Sequence, residues 1–247
     1  MGPWLRSAGR VLCTTLAFGA LRWALRQAPL PAHVRRDPLR TWRWRNLLVS
    51  FVHSIVVGLW AVAGVWQVPE IFTDIVNTAP PSGILLMSVS AGYFIHDSLD
   101  IIICRQSRAS WEYLVHHTMA ISGLFSGIFL ERFVGAGLIS LFVEVSNIFL
   151  TMRMMMRLGK LPFPTFYQVN KYINLVVYFL FRLAPQAYLS WYFVRFVEMR
   201  GQGAFLMVNL VLLDGMILIY FSRLLRSDFC PSSRDEGPGS EKKFLID

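Results

Sequence analysis

Charge is scarce in this chain. Asp, Glu, Lys and Arg make up 16% of its 247 residues, and 55% are hydrophobic. A soluble domain carries about a quarter charged residues, so the composition argues against a soluble cytosolic enzyme. The apolar and aromatic content excludes intrinsic disorder everywhere but the ends. Cysteine is scarcer still: Cys13, Cys104 and Cys230 are too few and too scattered for a disulfide framework or a cysteine zinc site. The five histidines show no HxxxH or HxxHH spacing, which rejects a di-iron lipid desaturase. Acidic residues are outnumbered 15 to 24, for a net charge of +9. Nucleic-acid binding would place that charge on a folded soluble face. No soluble domain is inserted here, so no nucleic-acid partner is expected.

What the chain has in abundance is long apolar runs. A membrane helix needs roughly 20 mainly apolar residues. Six runs qualify: residues 47–66, 83–104, 114–130, 133–152, 172–194 and 204–222. They are continuous, whereas barrel strands alternate, so helices are the spanning structure. The fold class is an all-α polytopic membrane protein of about six transmembrane helices. A weaker run at 11–21 precedes them, with Arg6 and Arg10 before it. It reads as a signal peptide or, with a slight preference because no cleavage site follows, as a further helix reaching about Leu25.

The basic residues set the orientation. Alternate connections carry seven, two, four and five Lys or Arg, against none, one and two for the others. By the positive-inside rule the Arg-rich segment before residue 47 and the C-terminus are cytoplasmic. The chain then divides into an N-terminal hydrophobic segment (1–26), a basic connector (27–39), a membrane domain (40–230) and a disordered cytoplasmic tail (231–247). The three prolines within 27–46 predict a non-helical connector. Trp42 and Trp44 are expected at the membrane interface. The small-xxx-small pairs Gly123/Gly127 and Ser88/Gly92 are expected to let helices approach closely.

Polar residues inside the runs are costly, and normally face a bundle interior with a partner. His53, His96, Asp97, Asp100, His116, His117, Glu144, Asn147, Arg182 and Asp214 are of this kind. His96 and Asp100 share a helix face at i,i+4, so the carboxylate could fix the imidazole tautomer. Asp97 points about 100° away, towards the Arg105/Arg108 side. Glu144 and Asn147 share a face at i,i+3. His96, Asp97, Asp100, His116, His117, Glu144 and Asn147 all fall towards the same end of their spans, and convergence there is the site expectation. The blander alternative is helix–helix glue, favoured for His53, and as an ion pair for Arg182 with Asp214. A zinc set built from His96, Asp100 and one of the pair His116/His117 is weakly signalled, and no metal is assigned. Acyl transfer would use a neutral histidine as base.

The stretch GYFIHDSLDIIICRQSRASWEYLVHHTMAISG at 92–123, followed by FVGAGLISLFVEVSNIFLTMRMMM at 133–156, resembles the TLC-domain family of TRAM, ceramide synthase and ceroid lipofuscinosis-type membrane proteins. The resemblance covers roughly residues 40–230. It implies a barrel of transmembrane helices around a cavity open to lipid-like molecules. The ceramide synthases' His-His pair is matched by His116 and His117. Their HDxxD element falls on 143–147, where Val143 replaces the histidine and Glu144 and Asn147 replace the aspartates. Valine cannot move a proton, which argues against ceramide synthase activity. One subfamily is resembled closely, in segments such as RTWRWRNLLVSFVHSIVVGLWA and NKYINLVVYFLFRLAPQAYL. It implies regulation of phospholipid acyl composition and membrane fluidity by limiting polyunsaturated chains. It also implies the plasma membrane, the wider family the endoplasmic reticulum. Membrane phospholipids are the expected partners, with lipid-remodelling enzymes beside them, and no cofactor is called for. The open alternative is a lipid acyltransferase using acyl-CoA as co-substrate, with His116 or His117 as base or acyl acceptor and Glu144 as the orienting carboxylate. Under either, His96, Asp97, Asp100, Asn147, Arg182 and Asp214 line the lipid cavity.

Overall fold

A computed structural model describes residues 2–229, so the expectation for the 231–247 tail lies outside the described residues. Among the described residues the secondary structure is helical, with no strand. α1 spans Pro3–Leu25, and a single turn, α2, spans Ala32–Arg35. α3 (Pro38–Gln67) leads through a 3₁₀ turn at Pro69–Phe72 to α4 (Pro81–Ile103) and α5 (Trp111–Leu130). α6 (Val134–Ser140) and α7 (Val143–Gly159) follow. α8 (Pro164–Tyr178) continues through a π-helical turn at Phe179–Leu183 into α9 (Ala184–Phe196), and α10 spans Gly201–Phe229. By length and composition, α3, α4, α5, the α6–α7 stretch and α10 are long and apolar enough to cross a membrane.

The helices form a closed ring. α3 packs on α4, α4 on α5, α5 on α10, α10 on α9, the α8–α9 unit on α7, and α7 back on α3. α1 lies outside the ring against α4, with lesser contact to α3 and α5. Gly92 permits that contact, because a Cβ there would sit 2.8 Å from the Thr15 nitrogen. Thr14 Oγ1 then donates to the Ser88 carbonyl at 3.0 Å. The expected close approach at Ser88 and Gly92 is therefore made, and its partner is α1. The 11–21 run lies within this packed helix.

The sequence reading needs three corrections. The connector expected across 27–46 is in large part helical, because Pro38 starts α3 rather than stopping a helix. Proline suits the first helical position, where its missing N–H costs nothing, and Asp37 caps the turn by accepting from Leu39 N at 2.8 Å. The run at 133–152 is broken at Leu141–Phe142, where i to i−3 bonds replace one α turn. The short α6 thereby turns inward and packs against α3, α4, α5 and α9, filling one end of the ring. Its glycines allow this: a Cβ on Gly135 would meet the Ile75 carbonyl at 3.1 Å. The run at 172–194 is interrupted by the π turn. Pro185 has no N–H for the carbonyl four residues back, and a π turn is one way a helix absorbs that mismatch.

The two tryptophans expected at the membrane interface are each held by other parts of the protein. Trp42 Nε1 donates to Asp100 Oδ2 at 2.9 Å, and Trp44 is buried against Gly159 and Leu158. The basic end of the ring is fastened by ion pairs. Arg22 bonds Asp100 at 2.8 Å, Arg223 bonds Glu112 through both guanidinium nitrogens at 2.8 and 3.0 Å, and Arg153 pairs with Asp228.

Candidate functional site

Glu144 is the hub of the polar interior. It stands in the first turn of α7, just after the break, and is 2% exposed. Gly58 of α3 makes room for that turn, since a Cβ there would lie 2.9 Å from the Val145 nitrogen. α3 can therefore deliver His53 and Ser54 directly to the carboxylate. Glu144 Oε2 accepts from Ser54 Oγ at 2.7 Å and from Asn147 Nδ2 at 3.1 Å, and lies 3.4 Å from His53 Nδ1. On its other side His53 Nε2 is 3.3 Å from Ser90 Oγ, and its ring stacks on Tyr93 at 3.8 Å.

Arg182 joins this hub from the π turn. Its Nε donates to Ser146 Oγ at 3.0 Å, its Nη2 to the Val143 carbonyl at 3.4 Å, and it also bonds the Asn147 amide oxygen. Asn147 thus bridges a guanidinium and a carboxylate that do not touch. The expected ion pair of Arg182 with Asp214 is not formed. Asp214 instead accepts from Ser190 Oγ at 2.6 Å, joining α10 to α9. The break and the π turn explain the change, because each frees backbone at mid-span and the Arg182 fork closes the gap between them.

A second group surrounds His117. Its Nδ1 lies 3.6 Å from Asp97 Oδ2 and 3.3 Å from Ser98 Oγ, while Asp97 accepts from the Asn46 amide. His117 is buried. His116 is half-buried beside it, with the two rings 5.9 Å apart. The His116 ring meets Phe94 of α4 edge-on at 6.2 Å. Tyr93 and Phe94 fill the space between the groups, with Phe94 5.1 Å from the His117 ring.

The two aspartates of α4 exchange their expected places. Asp97 faces the ring and His117, not Arg105 and Arg108. Asp100 faces outward to Arg22 of α1 and Trp42, and it makes no bond to His96. His96 lies beside Gly19 of α1, with its buried Nδ1 unpartnered. The cause is α1, which takes the face that holds His96 and Asp100. That separation also dismantles the zinc set considered above, and no group of three or more metal-ligating side chains assembles among the described residues. Glu144, expected to orient the His116/His117 pair, has His53 as its near imidazole. The carboxylate beside His117 is Asp97.

Ser54, Ser90 and Tyr93 join this polar interior without having been singled out in the sequence, and His53 bridges helices as the glue reading expects. Their signal was weak: one histidine and small hydroxyls on apolar helices, whose partners sit on other helices. In order, Ser90, His53 and Glu144 resemble an acyl-transfer triad. Ser90, however, is fully enclosed at 0% exposure, so its hydroxyl meets no substrate and serves as a partner for the imidazole. His116 is the less enclosed of the two α5 imidazoles, and His117 stands behind it, held by Asp97.

Comparison with known proteins adds to this geometry. The TLC domain family matches residues 43–226. TLC domain-containing protein 1 of Gallus gallus is 60% identical over 252 residues, covering all of both chains. TLC domain-containing protein 1 of Homo sapiens is 62% identical, covering 90% of each chain. TLC domain-containing protein 2 of Danio rerio is 34% identical over 92% of each. No solved structure matches.

Proposed function

The chain belongs to the TLC domain family, and from that premise we propose that it regulates the acyl-chain composition of membrane phospholipids, and with it membrane fluidity, by limiting polyunsaturated chains. The observation that carries this reading is Arg182. It is a cation buried at mid-span whose bonded partners are all neutral: Ser146, Asn147 and the Val143 carbonyl. Buried cations in membrane helices ordinarily pair or mark a ligand path. With Asn147 standing between it and Glu144, this cation supports a ring that holds an amphipathic ligand. Membrane phospholipids, and lipid-remodelling enzymes acting beside them, are the partners in this reading, which needs no cofactor.

A second reading, an acyl-CoA-dependent lipid acyltransferase, is favoured by one observation. His116 sits half-buried beside a carboxylate-held His117. A neutral imidazole there would take the proton from a hydroxyl or amine as that atom bonds to the acyl carbon, and the thiolate of coenzyme A would leave. The readings separate in lipid nanodiscs. Purified protein is given labelled acyl-CoA and lysophosphatidylethanolamine, with His116→Ala/His117→Ala as control. The first reading expects no acyl transfer and a co-purified phospholipid at the start. Turnover that disappears in the control would replace it with the second.

The basic end of the ring is proposed to face the cytoplasm. It collects the α1 C-terminus, Arg22, Arg153, Lys171 and Arg223, as the positive-inside rule requires. The plasma membrane is proposed as the site of action, with the endoplasmic reticulum as the alternative. A protease added to sealed vesicles with their cytoplasmic face outward should remove a C-terminal tag. A protected tag means the opposite orientation.

A further inference from the structure

Three connections meet at the end of the ring opposite the basic one: the α3–α4 loop, the α5–α6 turn and the α9–α10 loop. Between them lies a cavity of about 390 Å³, within the usual size range of small-molecule sites, about 300–1,000 Å³. Phe133, Tyr192 and Phe196 form its apolar wall, and Asp74, Arg132 and Glu198 are among its charged residues.

The walls are fixed. Phe133 N donates to the Val76 carbonyl at 2.8 Å, tying two of the connections together. Phe133 holds a left-handed backbone at φ +60°, as does its neighbour Glu131 at +52°. Non-glycine residues in that region are strained, and such strain gathers at ligand clamps. Gly203 closes the third connection tightly, since a Cβ there would meet Val197 Cγ1 at 2.8 Å.

Glu198 and Arg200 of the lining pair with each other, but Asp74 and Arg132 are left apart. The Asp74 carboxylate accepts only from Asn77, through its N–H at 3.0 Å and its amide at 3.1 and 3.2 Å. Arg132 lies over the Phe133 ring at 5.8 Å, and no carboxylate among the described residues is within ion-pair distance. A cation and an anion lining one cavity without pairing match a ligand that carries both charges. We propose that this cavity binds a zwitterionic phospholipid head group, its phosphate on Arg132 and its ammonium on Asp74 against the aromatic wall. The position selects a lipid over a free metabolite. The cavity opens at the ends of the spanning helices, where head groups lie, and Phe196 both lines it and is 60% exposed to the surroundings. Glu198 and Arg200 pair with each other at 3.4 Å on the open rim, where an ion pair contributes little. This site is separate from the histidines of the interior and does not depend on their chemistry.

The test uses the full chain in maltoside micelles, with binding read as a shift in melting temperature. The probes are dihexanoyl phosphatidylethanolamine, dihexanoyl phosphatidylcholine, dihexanoyl phosphatidylglycerol and chain-free glycerophosphoethanolamine. The expected result is stabilisation by the two zwitterionic lipids and little by the other two. Arg132→Gln and Asp74→Asn should each weaken that binding about tenfold or more, the loss that follows removal of a hydrogen bond to a charged group. Arg195→Gln, an exposed charge outside the cavity lining, should leave it within about twofold. Arg132 is exposed, so its variant should fold, and Asn at position 74 keeps the turn with Asn77. Equal binding of phosphatidylglycerol, or unchanged binding in Arg132→Gln, overturns the proposal. Equal binding of glycerophosphoethanolamine overturns the assignment to a lipid.

Discussion

Glu144→Ala should leave little folded protein. The carboxylate holds three helical elements at one point: Ser54 and His53 from α3, Asn147 from its own helix, and Arg182 of the π turn through Asn147. Removing one member of a buried charged network costs about 3–5 kcal/mol, because the remaining polar groups are stranded. A domain is stable by only about 5–15 kcal/mol in total. Lipid cannot solvate the orphaned His53, Ser54 and Asn147 as water would. Glu144→Gln keeps the volume and one acceptor oxygen, so it should recover part of the loss. The check is the melting temperature and monodisperse yield of both variants in nanodiscs beside the wild type. An alanine variant that melts within a few degrees of wild type would show that α3 and α7 are held by packing at Gly58 alone.

The helical membrane fold was legible in the sequence because long apolar runs bounded by basic connections have few other solutions in a bilayer, while closure into a ring was implied by the resemblance to the TLC-domain family. The membership of the site was only partly legible. Helical spacing correctly put Glu144 and Asn147 on one face, because both lie in the same unbroken helix. It misassigned Asp97 and Asp100 because the face a residue presents is known from spacing, while the neighbour on that face is not. Once α1 packs on α4, His96 and Asp100 turn towards Gly19 and Arg22, and Asp97 is left for His117. The partners of His53, read as helix–helix glue, were hidden for the same reason: they stand 37 and 91 positions away along the chain. The break before Val143 and the π turn at Arg182 were also hidden. Only Pro185 marked either of them, and a proline in an apolar run signals a distortion without saying what the distortion will hold.

That distortion carries the other large effect. Arg182→Ala removes the donors from Ser146, Asn147 and the Val143 carbonyl, and each acceptor left buried and unpaired costs about 1–3 kcal/mol. Lysine at the same position should recover less than half of the loss, because one compact ammonium cannot span three acceptors that a planar guanidinium reaches as a fork. The decisive measurement is the double-mutant cycle with Glu144. If Asn147 transmits the charge of one group to the other, the Glu144→Ala/Arg182→Ala pair should cost less than the two singles together, by about 0.5–3 kcal/mol. Reversible unfolding in mixed micelles would supply the four stabilities, starting from Gln rather than Ala at 144 where the alanine chain does not accumulate. Additivity within about 0.5 kcal/mol would make Arg182 and Glu144 two separate pieces of helix glue.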